Sequence, residues 1–269
     1  MRLKISVHRE GVFQIHTKNN LTTENYFEDT GHLSVSKFKR LMRCENQGLS
    51  EWGNPTPSML VGSYVDAHVE GTLEQFKEEH PEIISTRGAS KGELKAEFKQ
   101  ANEIIDFIDN DENLQNFLSG EKQRIMTGEI KGTPWKIMMD SYDEGVSIVD
   151  LKVMRSITNS DGSYYDFISA WGYDIQLAVY QEIVRQNTGE QLPVYIAVVT
   201  KESPINSAIV HIDQHTLDLA MVLVETHTER FYDLMTGKLF PIGCGTCKTC
   251  ISRRNKTPII SLDELRNLI

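Results

Sequence analysis

Two short apolar runs, each carrying carboxylates, constrain this chain more than any other feature. Lys136-Ile-Met-Met-Asp140 and Val146-Ser-Ile-Val-Asp-Leu-Lys152 read as strands, and Tyr142-Asp-Glu-Gly-Val146 between them has the composition of a hairpin turn. With Asp143-Glu144-Gly145 as the loop, Tyr142 faces Val146, Asp140 faces Ile148 and Met138 faces Asp150. Side chains alternate across a strand, so Asp150 and Lys152 share one face while Val149 and Leu151 take the other. Asp140 joins the first face as a diagonal neighbour of Asp150, roughly 7–8 Å away at the backbone and within reach of one bridging cation. On a surface hairpin the same residues would be a solvated charged face. Among strands this apolar, however, a carboxylate pair without a cation would be costly. Two carboxylates suit a hard ion such as Mg2+, and Lys152 beside them can orient or deprotonate a water and offset phosphate charge.

The cysteines impose a second constraint. Cys244-x-x-Cys247-x-x-Cys250 is a dense thiolate loop, with Gly243 and Gly245 letting the backbone wrap, and the only other cysteine is Cys44. Four thiolates suit an iron–sulfur cluster or a structural zinc ion. Either would tie residue 44 to residue 244 and so bring distant parts of the chain together, removing much loop entropy from the unfolded state. Four cysteines are too few for a disulfide scaffold in a chain of 269 residues, which can bury a large core unaided.

The remaining sequence predicts helices around a small mixed sheet. Ser34 or Ser36 caps a helix burying Phe38, Leu41 and Met42, and Ser58 caps a second through about Leu73. Pro81–Gly92 reads as a loop, Glu93 to about Leu118 as one helix ended by Ser119-Gly120, and Phe167–Asn187 as a long helix. Val194–Thr200 and Ala208–Ile212 are strands, followed by a helix over Thr216–Met235 and the cysteine loop. No linker divides the chain. It is read as one α/β domain over 1–269, with an N-terminal helical part (1–120), a catalytic sheet and helix (121–212), and a helix, cysteine loop and tail (213–269). No apolar run reaches a membrane span, and Met1-Arg-Leu-Lys with His8-Arg9-Glu10 close behind leaves no signal-peptide core, so a cytoplasmic protein is expected. Lys plus Arg is 28 against 38 Asp plus Glu, a net charge of −10 that excludes a histone-like basic coat but allows a local phosphate-binding patch.

Asp140 followed by Asp150-Leu151-Lys152 resembles the signature of the PD-(D/E)xK nucleases. Gln176 and Tyr180, four apart and therefore on one helix face, resemble the Gln-x-x-x-Tyr motif of the RecB-like members. Leu60–Gly71 is similar to the first motif of that group, in which a helix carries a Gly and, four residues later, usually a metal-binding His. Here Asp66 stands four after Gly62. His68 points to nearly the opposite side of a regular helix, so Asp66 is favoured, with Glu70 one turn on as a helper. One cysteine before the core and three after it resemble the AddB-type and spacer-acquisition nucleases, which carry a [4Fe-4S] cluster. The last spacing is shorter here, and zinc stays open as the alternative. Leu21–Tyr26, Leu33–Lys39, Cys44-Glu45, Leu94–Lys99, Thr133–Lys136 and the tail Pro258–Leu265 look like phage nucleases of the exonuclease VIII (RecE) type.

The resemblance implies Mg2+- or Mn2+-dependent hydrolysis of DNA. Asp140, Asp150, the Leu151 carbonyl and Asp66 would hold the metal, Lys152 would position water, and Gln176 and Tyr180 would support the site or touch DNA. It further implies 5′→3′ resection of linear duplex, a ring-shaped homo-oligomer and a single-strand annealing protein as partner, in a bacterial or phage-infected cell. Lys91, Lys95 and Lys99 along one helix, and Arg253, Arg254 and Lys256 beside the cysteine loop, are candidate DNA contacts. A single-strand exonuclease or endonuclease on the same core, or a catalytically silent DNA-binding or scaffold subunit, are the alternatives.

Overall fold

A computed structural model describes residues 21–50, 53–262 and 266. The N-terminal segment used for the localisation argument and residues 263–265 of the tail resemblance lie outside the described residues. Among the described residues the first helices are α1 (Val35–Arg43), capped by the Ser34 hydroxyl, and α2 (Glu45–Leu49), with Cys44 between them. Next come α3 (Pro57–Val69), α4 (Leu73–Glu79), α5 (Ala96–Asn110) and α6 (Glu112–Phe117). Strands β1 (Arg124–Ile130) and β2 (Thr133–Met139) form a hairpin. β3 (Ser141–Asp143), β4 (Ser147–Met154), β5 (Val194–Thr200) and β6 (Ser207–His211) form a second sheet in that order, with β4 and β5 parallel and the outer pairs antiparallel. The parallel pair is joined through α7 (Phe167–Trp171) and α8 (Tyr173–Thr188). α9 (Gln214–Met235) and the short α10 (Lys248–Ser252) follow.

Alternation along β4 and β5 feeds a core on each face. Ile148, Met154, Val194, Ile196 and Val198 pack with α1, α8, α9 and the β1–β2 hairpin. Val149, Leu151, Ala197 and Val199 pack with α3, α5 and α6. Asp150 and Lys152 have the parity of Ile148 and Met154, so they project on the α8 side, as the two-residue period predicts.

The hairpin differs from the expected one in two ways. The register pairs Tyr142 with Ile148 and Asp143 with Ser147, so the turn is Glu144-Gly145-Val146, with Gly145 at φ 72°. The slip is two residues, which preserves every side chain's face but carries Asp140 along β4 to the level of Asp150 and Leu151. The first apolar run is also divided. The chain bends at Asp140, and β2 pairs with β1 rather than with β4. The β1–β2 connection is Lys131-Gly132, both at positive φ (50° and 72°), the backbone a two-residue hairpin turn demands.

Helix boundaries move for local reasons. The helix expected over 93–118 breaks at Asp111, whose carboxylate accepts from Leu114 N at 2.9 Å and starts α6. The helix expected over 167–187 breaks at Gly172, left-handed at φ 64°. Thr56, not Ser58, caps α3, which ends at Val69 ahead of Gly71 at φ 78°. Asp213 caps α9, which starts at Gln214, two residues before the predicted Thr216.

Gly120 locks the loop before β1 against β3. A Cβ there would lie 2.6 Å from both the carbonyl carbon and the oxygen of Tyr142, and backbone cannot yield as a flexible side chain can. Gly120→Ala is expected to cost about 1–3 kcal/mol in urea unfolding, through displacement of the strand next to Asp140. An unchanged midpoint would mean that the loop adjusts freely.

Candidate active site

The bend between the two sheets brings the predicted residues together. Asp140 stands at the corner, and its Oδ2 accepts from Leu151 N at 2.9 Å. Asp150, only 1% exposed, offers Oδ1 to the Gln176 amide at 2.6 Å. The Lys152 ammonium lies against Asp150 Oδ2 and 3.8 Å from Asp140 Oδ2. It also donates to the Leu151 carbonyl at 3.1 Å, so that oxygen is directed into the same cluster. Gln176 Nε2 reaches the Tyr180 hydroxyl at 3.2 Å, and that hydroxyl donates to Met138 O at 2.9 Å. One helix face thereby fixes both Asp150 and the end of β2.

Asp66 on α3 lies within charge range of Lys152, Glu70 and Asp150. Burial and the neighbouring carboxylates of Glu70 and Asp150 push its carboxyl up to about 7, against the pull of Lys152. Burial likewise raises Asp140 well above the carboxylate range, reinforced by Asp150 and Asp66 and opposed by Lys152 and the Leu151 amide. For Lys152, burial works against the ammonium, but Asp150 and Asp140 outweigh it and hold the pKa above that of an ordinary lysine. Lys152 is therefore an ammonium through neutral pH. It can hold a water or offset negative charge, but it is not a base there. His68 turns away and meets Asp109 at 3.0 Å, as the helix geometry predicts.

Two further cations border the cluster. Lys39 Nζ stands 5.2 Å from the Tyr173 ring, which Lys152 approaches at 5.6 Å. Burial and repulsion from Lys152 lower Lys39 to about 8. Lys122 Nζ is buried with no hydrogen-bond partner among the described residues, and Asp140 and Glu70 lie within charge range. Neither lysine sits in a sequence pattern that signals this placement. The other basic residues fare differently. α5 begins only at Ala96, so Lys91 and Lys95 precede it, and Lys99 pairs with Glu93 at 2.6 Å. Arg253 donates to Asn46 Oδ1 at 3.1 Å and Arg254 to Gly245 O, so both brace the cysteine loop.

The donor set fits a hard divalent cation. Asp150 Oδ2 is buried against the Lys152 ammonium, and the crowded carboxyls of Asp140 and Asp66 are driven toward protonation, a strain that a divalent ion relieves. A pH dependence follows. A carboxyl raised above its unfolded value of about 4 contributes stability at low pH that is lost as pH climbs through its folded value. Without added metal, wild type should therefore lose stability between about pH 4 and 7 through Asp66. Asp66→Asn should flatten that part of the melting profile, and Mg2+ should raise the melting temperature more at pH 8 than at pH 5.5. Identical profiles for the two proteins would remove Asp66 from the cluster.

The four cysteines also converge. Their Sγ atoms all lie within 4.8 Å of one another. Around them, Glu45 grips Arg230 at 2.6 and 2.8 Å and accepts from Ile242 N at 2.6 Å, joining α2, α9 and the approach to the loop.

Residues 34–253 match the model of a PDDEXK-like domain of unknown function, DUF3799. The chain belongs to the DUF3799 family. A crystal structure described as that of a "putative exonuclease" from Eubacterium rectale is 44% identical to this DUF3799 chain, with a TM-score of 0.83 over 93% of it and 99% of the other. The crystal structure of SSO0001 aligns at 12% identity and a TM-score of 0.29 over 76% of this chain and 89% of the other, and supports no argument. Comparison with curated proteins returned no match. The expected architecture, a PD-(D/E)xK-type α/β core with small sheets flanked by helices and four cysteines drawn together, is the one observed. Among the described residues, no helix is long and apolar enough to cross a membrane.

Proposed function

We propose that this DUF3799 protein is a Mg2+- or Mn2+-dependent deoxyribonuclease that hydrolyses linear DNA from its ends. The observation that carries the reading is the convergence of Lys152 and Gln176 on the Asp150 carboxylate, beside Asp140 and the Leu151 carbonyl. A hydrolytic site needs oxygen donors for a cation, a fixed positive charge near the phosphate and a rigid support, and these residues match that inventory. Asp140, Asp150, Asp66 and the Leu151 carbonyl would hold the metal. Bound there, a divalent ion polarises the phosphate and lowers the pKa of a coordinated water.

The chain's own groups would do the rest. Lys152 holds the attacking water and offsets charge on the phosphate as the water oxygen bonds to phosphorus, releasing its proton to solvent, and the phosphodiester P–O bond breaks, the leaving oxygen taking a proton from solvent. Gln176 and Tyr180 fix the orientation of Asp150. Lys39 and Lys122 supply the local positive charge that an acidic chain needs to bring a phosphate beside carboxylates. A single exonuclease domain over 1–269, working in the cytoplasm, completes the reading. The resemblance to RecE-type enzymes extends it to 5′→3′ resection of duplex DNA by a ring of subunits that hands single strand to an annealing protein.

Digestion of end-labelled linear duplex and closed circular DNA with Mg2+, by wild type and Lys152→Ala, tests the proposal. Loss of linear DNA alone, at least a hundredfold slower in the variant, is expected. Cutting of circles would make the protein an endonuclease. No hydrolysis by folded wild type would leave a binding or scaffold subunit.

A further inference from the structure

We infer that the four cysteines form a site for a single tetrahedral Zn2+ rather than for the [4Fe-4S] cluster that the AddB-type resemblance implies. The sulfur spacing is that of a single ion. Cys44 Sγ lies 3.5 Å from Cys250 Sγ and 3.6 Å from Cys247 Sγ, and all four sulfurs fall within 4.8 Å of one another. Thiolates sharing one ion at a Zn–S bond of about 2.3 Å occupy tetrahedral corners roughly 3.8 Å apart. A four-iron cluster imposes the opposite geometry. Each thiolate takes its own iron, the cluster's sulfides fill the space between, and the ligand sulfurs stand at the outer corners, too far apart to touch. The thiolates here enclose space for an ion, not for a cubane.

The shell around the sulfurs is equally compact. Cys247 N points at Cys244 Sγ at 3.3 Å, Cys250 N at Cys247 Sγ at 3.4 Å, and Cys244 N at Cys44 Sγ at 3.5 Å. These amides turn the Cys-x-x-Cys-x-x-Cys segment tightly around its own sulfurs. Asn46 Nδ2 approaches Cys250 Sγ at 3.7 Å. Gly243 closes the remaining side: a Cβ there would stand 2.9 Å from Cys250 Sγ and 2.5 Å from Asn46 Nδ2. A shell drawn this close fits a compact ion and supplies the donors that thiolate ligands use in closed structural sites. Four protein ligands leave no open coordination position, so the site is structural. Zn2+ also has no redox chemistry, which makes the staple indifferent to oxygen.

The test is metal content, independent of nuclease activity. Full-length protein purified under nitrogen from cells supplied with both iron and zinc is analysed for zinc, iron and acid-labile sulfide, and its visible spectrum is recorded. About one zinc per chain, negligible iron and no visible band are expected, with zinc falling to background in Cys250→Ser. If that variant does not fold, wild type in which Co2+ replaces the ion should show the absorption of a tetrahedral tetrathiolate. Four irons with labile sulfide and a broad visible band would overturn the inference. So would one iron without sulfide, or a protein with neither metal. Each of these results leaves the proposed hydrolytic site untouched, because none reads its activity.

Discussion

Asp150→Asn is expected to abolish DNA hydrolysis, by on the order of a thousandfold or more, while the protein stays folded and still binds DNA. The substitution keeps a carbonyl oxygen for the Gln176 amide, which now reaches Oδ1 at 2.6 Å, so the α8 support is retained. It removes one of three mutually repelling carboxylates, which relieves Asp66 and Asp140 and offsets the weaker partner left for Lys152. Stability should therefore change by no more than about 1 kcal/mol, or a few degrees in melting temperature. Asp150→Ala is a poorer probe, because it leaves the largely buried Lys152 short of its main counter-ion. Retained hydrolysis in Asp150→Asn would mean that the chemistry lies elsewhere on the chain.

The second large effect is expected at the other metal site. Cys247→Ser removes one of four thiolates that hold together α1, α2 and the loop before α10, across a separation of 203 residues from Cys44. A structural ion binds only the folded state, so its loss falls directly on folding free energy. A cost of about 3–5 kcal/mol is expected, or roughly 10 °C in melting temperature for a chain of this size, together with loss of the bound metal. Unchanged melting and metal content in Cys247→Ser would mean that the cysteines merely lie near one another.

Legibility in the sequence followed the range of the interactions involved. The face shared by Asp150 and Lys152 was readable because alternation along one strand needs no knowledge of its neighbours. Gln176 and Tyr180 were readable through the resemblance to the Gln-x-x-x-Tyr motif, helical spacing placing them on one face, and Cys44 because three clustered thiolates lack a fourth. The hairpin register was not, since placing the turn one residue earlier or later keeps similar residues in the loop, and only strand pairing decides. The bend at Asp140 and the β1–β2 hairpin were hidden for the same reason: Lys136–Asp140 reads as one continuous strand until β1 competes for it. Lys39 and Lys122 were out of reach altogether. Each is an ordinary lysine locally, and only the packing of α1 and of the loop before β1 brings them beside Asp150 and Asp140.

The proposed cation-dependent hydrolytic site is the corner formed by Asp140, Asp150 and Lys152. The most direct test is nucleotide release from linear duplex DNA by wild-type protein prepared without Mg2+, measured as Mg2+ is added back, with Asp150→Asn in parallel. No release is expected before addition, with saturable release by wild type as Mg2+ rises and none by the variant at any concentration. Hydrolysis that proceeds without divalent cations, or equally fast in Asp150→Asn, would contradict that assignment.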